Sequence, residues 1–252
     1  MRVLAIGTCR IYGAAEIVKG ARRFSHRVHN PAEIERAIDL LQGRMHPWDL
    51  SHVLSEYALS IILREPDDFR EHLAGLLAEL RAQTFDAYVI EISSVRTHRA
   101  NSDEGPVLVD SIVAQSLLQH GEKLAPLYGA GQLRRVRDLT AAPETPAETR
   151  AAMRRIKNRL NAPIVWVSHC GLSEAAPHEE HLARTRRLLA EKVSRFAHQM
   201  GDAFVDPTPL VGQHGREAIF TEAGEDLYHY TDLGHEALAA AVQEKLERIG
   251  SA

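Results

Sequence analysis

Three short stretches of the chain are apolar at nearly every position instead of at every second one, and this limits the fold more than any other feature. They are Arg2-Val3-Leu4-Ala5-Ile6, closed by Gly7; Asp86-Ala87-Tyr88-Val89-Ile90-Glu91-Ile92-Ser93; and Pro163-Ile164-Val165-Trp166-Val167-Ser168. A strand apolar on both sides is covered on both faces, the situation of a parallel sheet wrapped by helices. The intervening stretches carry helical spacing. Residues 11–23 follow the first run as a helix, and Phe24–Val28 reads as a second strand. Pro31 to Leu41 puts Ile34, Ala37, Ile38 and Leu41 on one face, with Gly43 as a stop. Pro47–Arg64 and Pro66–Arg81 read as further amphipathic helices.

The later part repeats the alternation. Residues 101–106 read as a loop, Val107–His120 as helical, and Ala141–Glu148, with its two prolines, as a linker before a helix over Thr149–Leu160. Glu179–Met200 is a long helix, Ala203–Pro207 a fifth short strand, and Leu233–Ile249 a closing helix. No internal repeat interrupts the pattern. The expectation is a single α/β domain over residues 1–252, with a helical insertion at about 31–83 and a mostly parallel five-stranded sheet.

Charge and hydropathy narrow the function classes. Among 252 residues, 30 Lys and Arg face 34 Asp and Glu, a formal charge of -4. A sequence-independent nucleic-acid binder needs an excess of cations to displace counterions, and a polybasic membrane-surface protein needs the same. The expected partner is therefore a small molecule or saccharide, with no nucleic acid. No apolar run reaches the ~18–20 residues of a membrane span, so no membrane insertion is expected. The apolar start is interrupted too early for a signal peptide, which predicts a cytoplasmic protein.

Two cysteines, Cys9 and Cys170, are too few for a disulfide scaffold. They follow strands that the Asp86–Ser93 strand should separate, so their Cα atoms are expected roughly 9–10 Å apart. That exceeds the ~7 Å reach of a disulfide. Two free thiols are predicted.

Ligands of an open parallel sheet gather at the carboxyl ends of its strands. At the first such end, Gly7-Thr8-Cys9-Arg10 places a thiol between a strand and a helix start. Unpaired N–H groups and the helix dipole favour a thiolate there and can stabilise an oxyanion. The plainer alternative is a small buried packing residue. A cysteine phosphatase needs five residues between its Cys and Arg, but position 15 is Ala15 and position 4 is Leu4. That chemistry fails on spacing.

Near the C-terminus, Asp226-Leu227-Tyr228-His229 is a D-x-x-H pair, in which a carboxylate can orient an imidazole towards a nucleophile. Asp232-x-x-His235 is a competing pair in the same segment. Taken alone, either is a capping Asp beside a surface His.

A G-x-C after the first strand, combined with D-x-x-H-x-x-x-x-G and a terminal helix, resembles the SGNH (GDSL-like) hydrolase superfamily. Cysteine in place of the usual serine resembles its GSCFA-type branch and capsule-biosynthesis acetyltransferases with G-N-C-Q at this point. The resemblance implies a flavodoxin-like three-layer α/β/α fold. It also implies an acyl-transfer enzyme with Cys9 as nucleophile, His229 as general base and acid, and Asp226 as its orienter. Asp226/His229 is preferred because Gly234 then falls at the family's glycine. The family's oxyanion donors are less well matched. Gly43 is the candidate for the second, and it also serves as a helix stop. The usual third donor is an Asn after the central strand, where Ser93-Ser94-Val95-Arg96 stands instead. Ser93 or Ser94 would donate, and Arg10 and Arg96 would meet an anionic part of the substrate; ordinary strand-end roles are the alternative.

The third strand end, Ser168-His169-Cys170-Gly171, brings His169 as a candidate substrate contact, and His46-Pro47-Trp48-Asp49 could approach from a loop. His26-x-x-His29 and His178-x-x-His181 lack a full ligand set, so no metal is expected. No tightly bound cofactor is expected either, with acyl-CoA as a candidate co-substrate.

Three functions compete. The first is an acyl-thioester enzyme, acyltransferase or esterase, acting on an O-acyl carbohydrate or similar metabolite. Transfer is preferred over hydrolysis because the helical residues between Pro31 and Arg81 are available to cover the cleft. The second is a non-catalytic ligand-binding domain on the same fold. The third, a redox pair of Cys9 and Cys170, is weakened by the lack of a C-x-x-C.

Overall fold

The computed structural model describes residues 1–26, 28–44, 66–100, 107–109, 140–143, 145–172 and 175–251. Its strands are β1 (Val3–Gly7), β2 (Ala21–His26), β3 (Ala87–Ile92), β4 (Arg96–Ala100), β5 (Val107–Val109), β6 (Thr140–Pro143), β7 (Ile164–Ser168), β8 (Ala203–Val205), β9 (Phe220–Thr221) and β10 (Asp226–Tyr230). Its helices are α1 (Cys9–Ile17), α2 (Pro31–Leu41), α3 (Pro66–Arg81), α4 (Pro146–Leu160), α5 (Glu180–Gln199), α6 (Thr208–His214), α7 (Arg216–Ile219) and α8 (Asp232–Gly250). They fall into two compact units. One comprises Met1–His29, Phe85–Ser94 and Leu160–Ala252; the other comprises Asn30–Thr84 and Val95–Arg159.

The first unit holds a five-stranded parallel sheet in the order β2-β1-β3-β7-β8. Counted along the chain this is order 2-1-3-4-5, the flavodoxin-like α/β arrangement. Every residue of β1, β3 and β7 is buried, which is why their sequences are apolar at nearly every position. Val3, Ala5, Ala87, Val89, Val165, Val167 and Val205 face one side. There they pack with Ile11, Ala14 and Ala15 of α1 and with Leu238, Val242 and Leu246 of α8. Leu4, Ile6, Ile90, Ile92 and Trp166 alternate with them and are fully buried on the other side. Each such aliphatic side chain stabilises the unit by about 1.5–3 kcal/mol. The Trp166 indole N–H donates to Asp202 Oδ2 at 3.1 Å, so its single polar atom is satisfied.

The second unit is built from α2, α3 and α4 with an antiparallel sheet in the order β5-β4-β6. Asn30 and Glu33 form a reciprocal capping box at the start of α2. Gly43, at φ 71°, ends it: the Gly43 and Arg44 N–H groups fold back onto the Leu40 and Asp39 carbonyls. Arg81 of α3 donates to the Leu40 and Leu41 carbonyls, and Arg155 and Arg159 of α4 pair with Glu35 and Asp39.

Several boundaries differ from expectation. The helix expected over 11–23 stops at Ile17 because Gly20, at φ 78°, turns the chain so that Ala21 enters β2. Val107–Val109 is a strand where a helix was expected, with three residues paired to β4. The remainder of that stretch, the helix expected over 47–64, the loop at 101–106 and His46–Asp49 all lie outside the described residues. Part of the expected linker, residues 141–143, pairs with β4 within β6. No helix among the described residues is long and apolar enough to cross a membrane.

Candidate active site

Cys9 is the first residue of α1, directly after β1, and is partly exposed. Glu91 of β3, only 1% exposed, holds this turn from below. Its Oε2 accepts from the Thr8 N–H at 2.9 Å and from the Thr8 hydroxyl, and its Oε1 accepts from Arg10 Nε at 2.8 Å. Gly7 allows the approach, since a Cβ there would lie 2.7 Å from Glu91 Cβ. Burial by itself lowers the Arg10 pKa, but the charge of Glu91, with Tyr230 and Cys9, outweighs it and holds the guanidinium raised. Cys9 thus sits beside a fixed cation, on rigid scaffold.

Asp226 and His229 lie on β10, which pairs with β9 and carries a register shift between Asp226 and Tyr230. Asp226 Oδ2 is 2.6 Å from His229 Nδ1, and Asp226 Oδ1 accepts the Tyr228 N–H at 2.9 Å. Desolvation would raise the Asp226 pKa, but the His229 and Tyr228 hydrogen bonds prevail and lower it, so the carboxylate is ionised. His229 is 53% exposed and Asp226 21%. With Nδ1 turned to the carboxylate, the imidazole keeps Nε2 for proton exchange.

Two buried arginines join this hairpin to the sheet. Arg10 Nη1 donates to the Tyr228 carbonyl at 2.8 Å, so the residue after Cys9 is bonded to the residue before His229. Arg186 of α5, 3% exposed, donates from Nη2 to the Leu227 carbonyl at 3.1 Å and from Nη1 to the Cys170 carbonyl at 3.3 Å. Its guanidinium also lies 5.3 Å from the centre of the Tyr228 ring. Unlike Arg10, it has no carboxylate partner among the described residues, and its Nε meets no acceptor. Burial, with repulsion from Arg10, brings its pKa down to about 10, which leaves it charged at neutral pH.

The other candidates take several positions. His235, of the competing pair, packs against Gly13 and turns Nδ1 to the Arg10 carbonyl at 3.1 Å. It docks α8 on α1. His169 is buried, with Nδ1 3.2 Å from the Cys170 carbonyl and its ring edge-on to Tyr228. Desolvation, reinforced by Arg10 and Arg186, holds it far below the usual histidine pKa, hence neutral. The Ser93 and Ser94 N–H groups both donate to the His29 carbonyl at 2.9 Å. The Ser93 hydroxyl lies 3.0 Å from His29 Nδ1. The Gly43 N–H is bonded to Leu40 O within the second unit. Arg96 opens β4 of that unit, and its side chain lies outside the described residues. Cys170 is fully buried, its thiol pushed up to about 12 by desolvation, and neither cysteine forms a disulfide. Among the described residues no cluster of His, Cys, Asp and Glu is arranged to hold a metal ion.

Glu91 and Arg186 were not apparent from sequence as site residues. A lone carboxylate inside the apolar run Tyr88–Ile92 was the available signal for Glu91, because a buried charge demands a partner. Arg186 is one of many basic residues on α5, and nothing in its spacing distinguishes it.

The family model for the TviD N-terminal domain matches residues 109–245, more than half of the chain and a range that includes Asp226 and His229. No curated protein sequence matches. Among solved structures the chain is similar to a protein from Slackia heliotrinireducens assigned as an SGNH hydrolase, with 12% identity, 98% of each chain covered and a TM-score of 0.46. It is similar to a catalytic mutant of an acetylxylan esterase from Geobacillus stearothermophilus, with 12% identity, 97% of this chain and 93% of that one covered, and a TM-score of 0.47. It is also similar to a carbohydrate acetylesterase family member from Sinorhizobium meliloti, with 10% identity, 100% of both chains and a TM-score of 0.41. At these scores the likenesses add nothing to what the strand order already shows.

Proposed function

Because the chain belongs to the TviD N-terminal domain family, we propose that it is an acyl-transfer enzyme with a Cys9–His229–Asp226 triad, from the cysteine-nucleophile branch of SGNH-like proteins. The observation that carries the proposal is the 2.6 Å Asp226–His229 pair, held by Arg10 against the turn that bears Cys9. Asp226 fixes the tautomer with the proton on Nδ1, so Nε2 accepts the Cys9 proton. The Cys9 sulfur then adds to the acyl carbonyl. Collapse breaks the bond to the leaving oxygen or sulfur, which takes the proton back from His229 and leaves an acyl-thioester on Cys9. An acceptor hydroxyl, amine or water, deprotonated by His229, attacks the thioester and expels the sulfur.

The proposed substrate is an O-acyl carbohydrate or similar small metabolite. That substrate is itself an acyl donor, with acyl-CoA as a candidate co-substrate in a cytoplasmic setting and transfer preferred over hydrolysis. Intact-protein mass spectrometry after exposure to acyl-CoA and aryl-ester donors tests the reading. One acyl group should add to the wild type and none to Cys9→Ala, while Cys9→Ser should keep slow residual turnover because the base stays aligned. Fast aryl-ester hydrolysis that no alcohol, sugar or amine diverts would make it a cysteine esterase.

One observation favours a second reading, a ligand-binding domain without catalysis: the Ser93, Ser94 and Gly43 amides are already bonded to carbonyls. Complete absence of label on Cys9 with every donor would select it.

A further inference from the structure

Ordinary strand alternation sends neighbouring side chains to opposite faces, yet Tyr228 and His229 are both exposed, flanked by buried Leu227 and Tyr230. The register shift in the β9–β10 pairing is the cause, and re-aiming side chains is what such irregularities do beside functional sites. The ring so presented is 56% exposed, a large apolar surface left in water. It is also held on several sides. Its N–H is bonded to Asp226, its carbonyl to Arg10, and its ring lies over Arg186 and edge-on to His169. The polar groups beside the ring are the exposed His229, next in the chain, and the Asp226 carboxylate, which accepts the Tyr228 N–H.

We propose that Tyr228 is a stacking platform for a pyranose ring of the acyl-bearing saccharide, binding it beside His229 and setting specificity. A pyranose matches this surface because it offers an apolar C–H face to an aromatic ring and hydroxyls to a polar margin. A ring fixed before binding loses little entropy when the sugar docks. The inference rests on the acyl-transfer reading and names the residue that would set its saccharide specificity.

The test compares kcat/KM for partly O-acetylated maltotriose with kcat/KM for an acyclic donor, S-acetyl-N-acetylcysteamine. The ratio should fall about tenfold in Tyr228→Ala and Tyr228→Leu, and stay within about twofold in Tyr228→Phe and Tyr228→Trp. Leucine keeps the apolar bulk without the aromatic face, so a fall in the Leu variant separates stacking from packing. An unchanged ratio in Tyr228→Ala and Tyr228→Leu, whether or not both rates fall together, overturns the platform. If the wild type transfers from neither donor, saturation-transfer NMR with maltotriose decides. A saccharide signal that is present with the wild type and disappears with Tyr228→Ala supports the platform although the acyl-transfer reading has failed. Equal saturation transfer from wild type and variant, or none from the wild type, overturns it.

Discussion

The two segments that supply the candidate triad are held in opposite ways. The Cys9 turn grows directly out of β1, is braced by Glu91 from the neighbouring strand, and has Thr8 and Arg10 buried on either side of the thiol. The Asp226–Tyr230 strand is outside the main sheet, pairs among the described residues only with the two-residue strand β9, and leaves Tyr228 and His229 in solvent. What locates it is a guanidinium on each of two consecutive carbonyls, Arg186 at Leu227 and Arg10 at Tyr228. Cys9 is thus placed by scaffold and His229 by side chains imported from elsewhere. Buried cations behind the exposed His229 supply the positioning that a sheet supplies for Cys9.

The sharpest way to break this contrast is at Glu91. Glu91→Gln removes the charge that compensates Arg10 and should lower unfolding free energy by about 3–5 kcal/mol, read from urea titrations. A loss under about 1 kcal/mol would mean that the turn does not depend on the pair. Arg186→Met should act differently. It removes a buried charge that has no carboxylate partner among the described residues while costing two carbonyls their donors, so stability should move by no more than about 2 kcal/mol. The rate of Cys9 acylation should nevertheless fall about tenfold as the hairpin loosens. Equal loss of stability and rate would show that Arg186 supports the core generally and does not place His229.

The smallest effect concerns His169, which lies under the Tyr228 ring. Its folded pKa is lowered by desolvation and by the two arginines. The unfolded chain binds a proton near the ordinary histidine value of about 6.5, while the native residue resists it. Its contribution is therefore complete above about pH 6.5 and declines as pH falls below that value. Wild type should lose about 1 kcal/mol more between pH 7 and pH 5 than His169→Gln. Parallel losses in the two proteins would remove His169 from the account.

The runs that became β1, β3 and β7 were legible because burial on both faces leaves few polar positions, Glu91 and Ser168 among them, to blur them. Pro31–Leu41 was legible to the residue, since Asn30 and Pro31 start the helix and Gly43 stops it. The β4–β5–β6 sheet was not. Arg96-Thr97-His98-Arg99-Ala100 shows no apolar alternation, and antiparallel pairing joined it to partners too short to register as strands. The D-x-x-H segment was legible as a carboxylate–imidazole pair, which forms at 2.6 Å, but not as a strand, because its pairing is irregular and its exposure departs from period two.

Sequence alone determined the alternation of strands and helices, the thiol at the end of β1 and the three-residue spacing of Asp226 and His229. Each of these depends on residues adjacent in the chain or on periodicity within one element. Tertiary structure decided which acid braces the Cys9 turn, which arginines hold the hairpin, and that His235 docks a helix while His229 stays open to solvent. Those outcomes join positions 10, 91, 186 and 228, whose side chains meet only after the sheet has assembled. A buried charge takes whatever partner folding brings within reach, and no local pattern in the chain records which one that is.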